Sequence, residues 1–259
     1  MKKIDVIMPA RNASKYLRCA IDSILNQTYE NFRLIIVDDA STDNTVKIIK
    51  SYLDNRIFLI KNRSQMGVAK SLNIALNYVN SEYIARMDAD DVAKSNRLQT
   101  QLDYLINHKD VGVVASAADL INENGKICGI KQYSSNEVDT CNQLINRNVI
   151  IHPTVMFRTQ LINKYGLYDE NLNGAEDYDL WLRLGKHTKI INLPQKLLKY
   201  RIHTDNVSNY AIKKVEKATI KAQIKALIKY NYNLVLILYI IRNIISYLIP
   251  ASIKKASFN

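Results

Sequence analysis

Short apolar segments rich in β-branched residues alternate with helical patterns through the first half of the chain. The strand-like segments are residues 4–8, 33–37, 57–61 and 83–87, and helical patterns cover residues 14–26, 45–53 and 69–79. This alternation predicts a mainly parallel, doubly wound α/β sheet with helices on both faces. Because ligands of such sheets bind beyond the carboxyl ends of the strands, the residues that follow each strand are the first candidates for a functional site.

The second half of the chain has strands and helices without simple alternation. Strand patterns are at residues 111–117, 127–133, 154–157, 189–193 and 197–202, and helical patterns are at 137–145 and 175–185. We expect a mixed sheet that completes the first half within one domain of residues 1–210. With 47% hydrophobic residues in a chain of 259, the core of such a domain can be filled.

The net charge of +12 is concentrated near the C-terminal end. Residues 211–259 contain eight lysines and one arginine against one glutamate, so they carry +8 and residues 1–210 carry +4. A nucleic-acid-binding surface would interleave basic and aromatic residues on the folded domain, whereas this basic excess lies on an apolar tail. We therefore expect no nucleic acid partner.

The cysteines and the N-terminal segment point to the same compartment. Three cysteines without a CxxC pair favour a reducing, cytosolic setting. The apolar run that starts at Ile4 is short and contains Asp5, so it is interpreted as a first strand and not as a signal peptide. These features predict a cytoplasmic protein.

The second predicted strand ends on Asp38 and Asp39, which open a turn rich in Asp, Ser and Thr. Such residues accept hydrogen bonds from the free N–H groups of a following helix, and this is the role we expect of Asp43. For Asp39 a capping role is the alternative, because a pair of carboxylates at the carboxyl edge of a sheet is costly unless something binds there. Asp39 is therefore a candidate binding residue.

The fourth predicted strand runs into Asp88-Ala89-Asp90-Asp91. Residues two apart in an extended segment point to the same side, so Asp88 and Asp90 can hold a diphosphate through a shared Mg²⁺ or Mn²⁺. The alternative is an acid-rich N-terminus of the helix predicted at residues 96–105, which the helix dipole favours. Asp91, at the end of the run, is expected to be a cap.

Seven ordered segments give this sequence a resemblance to the family 2 glycosyltransferases with the GT-A fold. They are residues 6–12, 20–28, 36–43, 62–67, 85–91, 152–154 and 176–181, so the resemblance spans roughly residues 4–205. It implies a Rossmann-like, mainly parallel mixed sheet flanked by helices. The nucleotide-binding half would be about residues 1–110 and the acceptor half about residues 111–210. Residues 92–98 depart from the pattern, because they lack the proline that relatives commonly have before the Arg-Leu pair.

The resemblance also implies which residues meet the donor. A nucleotide-sugar would be bound by Pro9, Arg11, Asp39, Asn62, Arg86 and Asp88. For Asn62 and Arg86 a purely structural polar role is the alternative.

A metal site and a phosphate contact follow from the same resemblance. Mn²⁺ or Mg²⁺ is expected on Asp90, Asp88 and His203, with Asp90 as the firmest ligand. His152, which precedes Pro153, is expected to contact the donor phosphate or the acceptor.

In inverting members of the family, a carboxylate on a Glu-Asp helix removes the proton of the acceptor hydroxyl as its oxygen attacks the anomeric carbon. Asp177 occupies that position, with Glu176 as the runner-up. A sugar hydroxyl is a poor nucleophile at neutral pH, so a positioned base is required. Asp177 and Asp90 are therefore expected to flank one cleft. Asp179 is interpreted as a surface or hydrogen-bonding residue, and Trp181 as a core residue.

These features predict an inverting, metal-dependent glycosyltransferase. It would move a sugar from a UDP-sugar to a glycan or lipid-linked saccharide acceptor in cell-surface polysaccharide synthesis. One alternative is a nucleotidyltransferase, which is expected to have a glycine-rich loop where this sequence has Pro9-Ala10-Arg11-Asn12. Another is a non-catalytic scaffold of the same fold, against which the intact acidic residues argue.

The basic and apolar tail of residues 211–259 is predicted to be helical. Residues 234–249 would form a helix of about 24 Å, which is shorter than the ~30 Å hydrocarbon core, and Arg242 lies in its middle. We expect this helix to lie in the plane of the inner membrane surface, between basic flanks. The alternative is that the tail packs on the catalytic domain or on a second subunit of a homodimer.

Overall fold

A mixed sheet of nine strands forms the centre of the computed structural model, which describes residues 3–135, 137–202 and 212–249. The strands are β1 (Ile4–Ala10), β2 (Phe32–Asp38), β3 (Ile57–Lys61), β4 (Tyr83–Arg86), β5 (Val92–Ala93), β6 (Val111–Ile121), β7 (Ile127–Lys131), β8 (Met156–Arg158) and β9 (Lys189–Arg201). The helices within the described residues are α1 (Leu17–Leu25), α2 (Thr45–Lys50), α3 (Val68–Asn77), α4 (Arg97–Asn107), α5 (Glu137–Asn146), α6 (Thr159–Tyr165), α7 (Glu176–Leu184), α8 (Ile212–Lys229) and α9 (Leu236–Leu248).

The strand order is β3-β2-β1-β4-β8-β6-β9-β5, and β7 pairs with β6 outside this path. Strands β1 to β4 pair in parallel, β8 runs antiparallel between β4 and β6, and β9 is parallel to β6. Pairing of Ala10 with Asp38 and of Asp38 with Lys61 brings the carboxyl ends of β1, β2 and β3 side by side. The predicted parallel first half and mixed second half are both confirmed.

Two strands differ from the sequence prediction. Residues 189–193 and 197–202 were expected to form separate strands, but β9 is continuous, and its pairing with β6 shifts register between Ser116 and Ala117. Strand β5 was not predicted, because a strand of two residues has no periodicity. It pairs antiparallel with Lys199 and Leu198 of β9 and so ties the segment after β4 to the other end of the sheet.

The sheet is covered on both faces because its strands alternate their buried side chains between two cores. Ile4, Val6 and Met8 of β1 pack into the first core, which also contains the buried residues of α1 and α4. Ile7 of β1 packs into the second core together with α3, α6 and α7. Trp181 of α7 is fully buried there, as predicted.

The tail helices α8 and α9 contribute to this second core. Ala218, Ala222 and Ala226 of α8 are buried against it, as are Leu236 and Ile240 of α9. Small alanine side chains let the backbone of α8 approach α7 closely. One face of the tail therefore packs on the rest of the chain, which was the alternative to a tail that lies only on a membrane.

The outer face of α9 is apolar and exposed. Leu238 is 67% exposed, Ile245 58% and Leu248 73%. Among the described residues, no helix is both long enough and apolar enough to cross a bilayer.

Candidate active site

Asp39 organises a loop at the carboxyl edge of the sheet. Its Oδ1 accepts hydrogen bonds from Asn62 Nδ2 (2.8 Å) and Met66 N (2.8 Å), and its Oδ2 accepts one from Gly67 N (2.9 Å). Gly67 has φ of +90°, a conformation that glycine adopts without strain. The buried carboxylate thus fixes the segment between β3 and α3, and residues 65–67 of that segment line the cleft described below.

Pro9 and Arg11 lie beside this loop, at and just after the end of β1. Pro9 is half-buried and Arg11 is exposed, and neither lines the cleft. The structure therefore places Pro9, Arg11, Asp39 and Asn62 at neighbouring strand ends, as predicted. Their contact with a nucleotide stays a prediction.

The acidic run after β4 brings three carboxylates together. One oxygen from each of Asp88, Asp90 and Asp91 lies within 4.8 Å of the others. The prediction that Asp91 is a helix cap is wrong, because this residue is only 1% exposed and its Oδ1 accepts a hydrogen bond from Arg201 N at 2.8 Å. The side chain of Arg201 donates to the backbone oxygen of Asp90 at 2.8 Å. The end of β9 thus holds the acidic run against the sheet.

This cluster is suited to a divalent cation. Burial raises the pKa of Asp88, against the opposing effect of Arg86. Burial and the charges of Asp88 and Asp90 raise the pKa of Asp91 well above its usual range. Asp91 Oδ2 has no hydrogen-bond donor within the described residues. Carboxylate oxygens crowded in this way are the ligands that Mg²⁺ and Mn²⁺ prefer.

His203, the remaining predicted metal ligand, lies outside the described residues. It follows the last residue of β9, Arg201, by two positions.

Two arginines lie next to the acidic run. Arg86 Nη1 donates a hydrogen bond to Asp88 Oδ2 at 2.5 Å. Arg86, which was predicted to contact the nucleotide-sugar, thus has an acidic partner within the chain. Arg97 is completely buried and donates to the backbone oxygen of Arg86 at 2.6 Å and to Gln101 Oε1 at 3.1 Å. Burial lowers the pKa of Arg97 to about 9. The burial of Arg97 was not predicted, although its position on the apolar face of the helix at residues 96–105 was a signal.

The predicted base lies at the start of α7. Asp177 Oδ2 accepts a hydrogen bond from Asn148 Nδ2 (2.8 Å), and Oδ1 accepts one from Tyr178 N (2.7 Å). Burial, together with the charge of Glu176, raises the pKa of Asp177 to about 6. Glu176, the runner-up, accepts a hydrogen bond from Gly174 N at 2.6 Å and so braces the loop before α7.

Asp179 is neither a surface residue nor part of the cleft. It is fully buried, and its Oδ1 lies 2.9 Å from Lys225 Nζ of α8 and 2.9 Å from the hydroxyl of Tyr230. Its interpretation as a surface residue is wrong, and its interpretation as a hydrogen-bonding residue is confirmed. Asp169 accepts a hydrogen bond from the same lysine at 2.7 Å. The tail is thus joined to α7 by a buried ion pair two residues after the predicted base.

His152 begins a short helical turn, His152–Thr154, between α5 and β8. Its Nε2 is 2.9 Å from the hydroxyl of Tyr168, and its ring meets Trp181 edge-on with centroids 5.9 Å apart. Burial lowers the pKa of His152 well below its usual range, so the ring is neutral at pH 7. A neutral ring can orient a hydroxyl but adds no charge.

One cleft of about 740 Å³ contains most of the predicted residues. It is lined by Arg86, Asp88, Asp90, His152, Glu176 and Asp177. Asp90 and Asp177 were expected to flank one cleft, and both line it. Lys131, Tyr133, Asn148 and Tyr200 also line the cleft and were missed.

Comparison with known proteins identifies the family. The profile of Glycosyl transferase family 2 matches residues 5–166. The O-antigen biosynthesis glycosyltransferase WbnJ of Escherichia coli is 38% identical over 224 residues, which cover 83% of this chain and 86% of WbnJ. The UDP-Glc:alpha-D-GlcNAc-diphosphoundecaprenol beta-1,3-glucosyltransferase WfgD, also of Escherichia coli, is 31% identical over 216 residues, 83% of each chain.

Solved structures share the architecture. Residues 1–349 of S. aureus TarS in complex with UDP-GlcNAc match with a TM-score of 0.72 at 20% identity, covering 86% of this chain and 66% of that one. Mannosyltransferase PcManGT from Pyrobaculum calidifontis, in complex with GDP-Man and Mn²⁺, matches with a TM-score of 0.65 at 19% identity, covering 86% and 64%. At such identity the likeness concerns the fold alone, which is GT-A. With the profile match over most of the sheet and WbnJ aligned along nearly its whole length, the chain belongs to the family 2 glycosyltransferases.

Proposed function

We propose that this protein is an inverting, metal-dependent glycosyltransferase that moves a sugar from a UDP-sugar to a lipid-linked saccharide in the synthesis of a cell-surface polysaccharide. One observation carries the proposal: Asp88 and Asp90, two of three clustered carboxylates, line the same cleft as Asp177, a separate carboxylate with raised pKa. The cluster suits the charged leaving group of the donor. The separate carboxylate, Asp177, is suited to accept the proton of the acceptor hydroxyl.

Asp177 is the general base of the proposed reaction. With a pKa of about 6 it is ionised at pH 7 and is more basic than an ordinary aspartate, which favours proton transfer from the acceptor hydroxyl. The hydrogen bonds from Asn148 and from Tyr178 N fix both carboxylate oxygens, so the orientation of the base is set before the acceptor arrives.

The donor diphosphate is assigned to the wall formed by Asp88, Asp90 and Asp91, and these carboxylates would hold a divalent cation, Mn²⁺ or Mg²⁺. Such a cation supplies counter-charge to the departing diphosphate. Arg86 pairs with Asp88 in the chain itself and thereby fixes the direction of that carboxylate. The loop held by Asp39 and Asn62 would meet the nucleoside.

The nucleotide and the acceptor are proposed from relatives. The name of WfgD specifies UDP-Glc and a diphosphoundecaprenol-linked sugar, and one TarS structure contains UDP-GlcNAc. PcManGT contains GDP-Man, so GDP is the competing choice. A lipid-linked acceptor is consistent with the exposed apolar face of α9, which we assign to the cytoplasmic surface of the membrane.

The test is a panel of UDP-, GDP- and dTDP-sugars, with nucleotide release measured in the presence of Mn²⁺, Mg²⁺ or EDTA. We expect release from a UDP-sugar that EDTA abolishes. Asp177→Asn should keep UDP affinity within about twofold and lose about 10³-fold in transfer rate, because a positioned base contributes 10²–10⁴-fold.

Each alternative has its own outcome in this experiment. Release of pyrophosphate in a parallel incubation with nucleoside triphosphates and sugar phosphates would indicate a nucleotidyltransferase. UDP binding without turnover of any donor would indicate a scaffold. Full transfer by Asp177→Asn would contradict the assignment of the base.

A further inference from the structure

A groove leads from the catalytic cleft to the tail helices. Its volume is about 330 Å³, and it lies between the loop after α5, the start of α7, and the facing sides of α8 and α9. Asn148, Gly174, Asp177 and Val215 line both the groove and the cleft. A molecule that presents a hydroxyl to Asp177 can therefore extend along the groove towards α9.

Two arginines line this groove. The Nη2 of Arg242 donates to the backbone oxygen of Asn146 at 3.2 Å and to Asn243 Oδ1 at 3.0 Å, which anchors one side of the guanidinium. Its Nη1 donates no hydrogen bond within the described residues, and neither does the side chain of Arg147. An arginine fork with unused donors matches the oxygens of a phosphate group.

The acids of the groove have hydrogen-bond or ion-pair partners other than these arginines. Glu216 Oε1 accepts a hydrogen bond from Ser246 at 3.0 Å, and its Oε2 lies 4.0 Å from Lys213 Nζ. Asp177 lies at the end shared with the cleft. The groove is therefore polar, and its lining carries two arginines as well as two carboxylates.

The side chains of α9 form three adjacent stripes along the helix: one packs inward, one faces the groove, and one is apolar and exposed. At about 100° per residue, Leu236, Ile240 and Asn243 form one stripe, which packs inward. Arg242 and Ser246 form the next stripe, which faces the groove. The exposed apolar stripe follows directly and consists of Leu238, Ile241, Ile245 and Leu248, with Leu234 just before the helix. A ligand that leaves the groove past Arg242 meets this apolar stripe next.

We infer that the groove is the acceptor subsite, which binds the phosphate linkage of an amphiphilic acceptor through Arg147 and Arg242. The acceptor sugar reaches Asp177, and the apolar chain lies along the outer stripe of α9. This assignment rests on the proposed function, since it takes Asp177 as the end at which the sugar reacts. It deepens that function by naming the chemistry of the acceptor: a lipid joined to its sugar through phosphate.

The probe is farnesyl phosphate below its critical micelle concentration, compared with farnesol and with inorganic phosphate. Binding to the full chain is measured by calorimetry with UDP at saturation, so that the donor diphosphate site is filled, and again without UDP. We expect farnesyl phosphate to bind at least about tenfold more tightly than either half-probe, since charge-assisted hydrogen bonds and apolar burial both contribute.

Arg147→Gln/Arg242→Gln should weaken farnesyl phosphate binding at least about tenfold and leave farnesol binding unchanged. The control Lys47→Gln/Lys50→Gln removes the same charge from α2, which does not line the groove, and should bind like the native protein. Arg147→Gln alone is the second variant, because its side chain donates no hydrogen bond within the described residues and its loss should not disturb folding.

Native affinity for farnesyl phosphate in both arginine variants would overturn the proposal. Equal native affinity for inorganic phosphate and farnesyl phosphate would overturn the lipid part of it. Failure of the proposed function is seen separately, as absence of UDP binding and donor turnover. The titration without UDP still reports on the groove in that case.

Discussion

The two walls of the cleft hold their carboxylates in different ways, although burial raises pKa values on both. On the wall after β4, Asp88 and Asp91 are crowded by other acids, and burial raises their pKa values. On the wall at α7, Asp177 accepts hydrogen bonds from the neutral donors Asn148 and Tyr178 N. The first wall requires a positive partner to stay ionised. The second holds one carboxylate in a fixed direction, which suits a group that gains and loses a proton.

The two walls also differ in how they are built. The acidic run follows a strand of the parallel half, beside other strand ends in register. The α7 wall is supported from behind by the tail, through Lys225 and the buried Asp179. The proposed donor site is thus built on a regular sheet, whereas the proposed acceptor site depends on appended helices.

The largest effect is expected on the acidic wall. Asp90→Ala should lower donor turnover about 10⁴-fold, because counter-charge on the leaving group is worth several kcal/mol and each 1.36 kcal/mol is tenfold in rate. Turnover at saturating UDP-sugar and Mn²⁺ affinity by titration measure it. Asp103→Ala removes an exposed acid of α4 outside the cleft and serves as the control. Turnover within tenfold of native in Asp90→Ala would contradict the role of this wall.

This contrast explains what could be predicted from the sequence. Asp88, Asp90 and Asp39 could be singled out as candidates because strand ends are visible in the sequence as apolar runs that stop at acids. The role of Asp91 was missed, because its partner Arg201 is 110 residues away and reaches it only through the pairing of β5 with β9. Helix capping, a local rule, was the wrong rule at that position.

The α7 wall was also less predictable, because the partners of its residues are distant in the sequence. Asp177 was predicted from the family resemblance of its helix motif, but Asn148, which donates a hydrogen bond to it, follows α5 in an irregular segment. Lys131 and Tyr200 reach the cleft from the less regular second half of the sheet. Asp179 looked like a surface acid because its partner Lys225 belongs to the tail, far from it in the sequence.

The next largest effect tests whether the α7 wall depends on the tail. Lys225→Met leaves Asp179 buried without its closest cation and should lower the free energy of unfolding by about 3 kcal/mol. Urea unfolding followed by circular dichroism measures this change. Lys221→Met, one turn earlier on α8 and exposed, should change it by less than about 0.5 kcal/mol. Equal stability of the two variants would mean that the tail is an independent appendage.

A smaller effect is expected from pH. Asp177 must be ionised to accept a proton, and its pKa is raised from 3.8 to about 6, so kcat/KM should fall below pH 6 and be about tenfold below its plateau at pH 5. Asn148→Ala removes a hydrogen-bond donor that favours the ionised form of Asp177, so the fall in kcat/KM should begin at higher pH. Rates from pH 4.5 to 8 test both statements. A kcat/KM that falls only below pH 5 would show that the pKa of Asp177 is not raised, or that another group is the base.

The smallest effect concerns the outer face of α9. Deleting the tail after Tyr210 would test membrane binding, but it would also remove Ala222, Leu236 and other residues from the second core. Leu238→Ser/Ile245→Ser changes only exposed side chains and should lower co-sedimentation with anionic liposomes about fivefold, because each side chain is only partly buried in an interface.

The matched control for α9 is Leu53→Ser/Ile106→Ser, which removes two exposed apolar side chains elsewhere on the molecule. It should co-sediment like the native protein. If both double variants co-sediment equally, the apolar stripe of α9 faces something other than lipid, and a second subunit becomes the occupant to test by sedimentation equilibrium. If only the α9 variant is released while its UDP affinity is unchanged, then the two walls are separable: the acidic wall serves the donor in solution, and the α7 wall with its tail holds the enzyme where a lipid-linked acceptor is found.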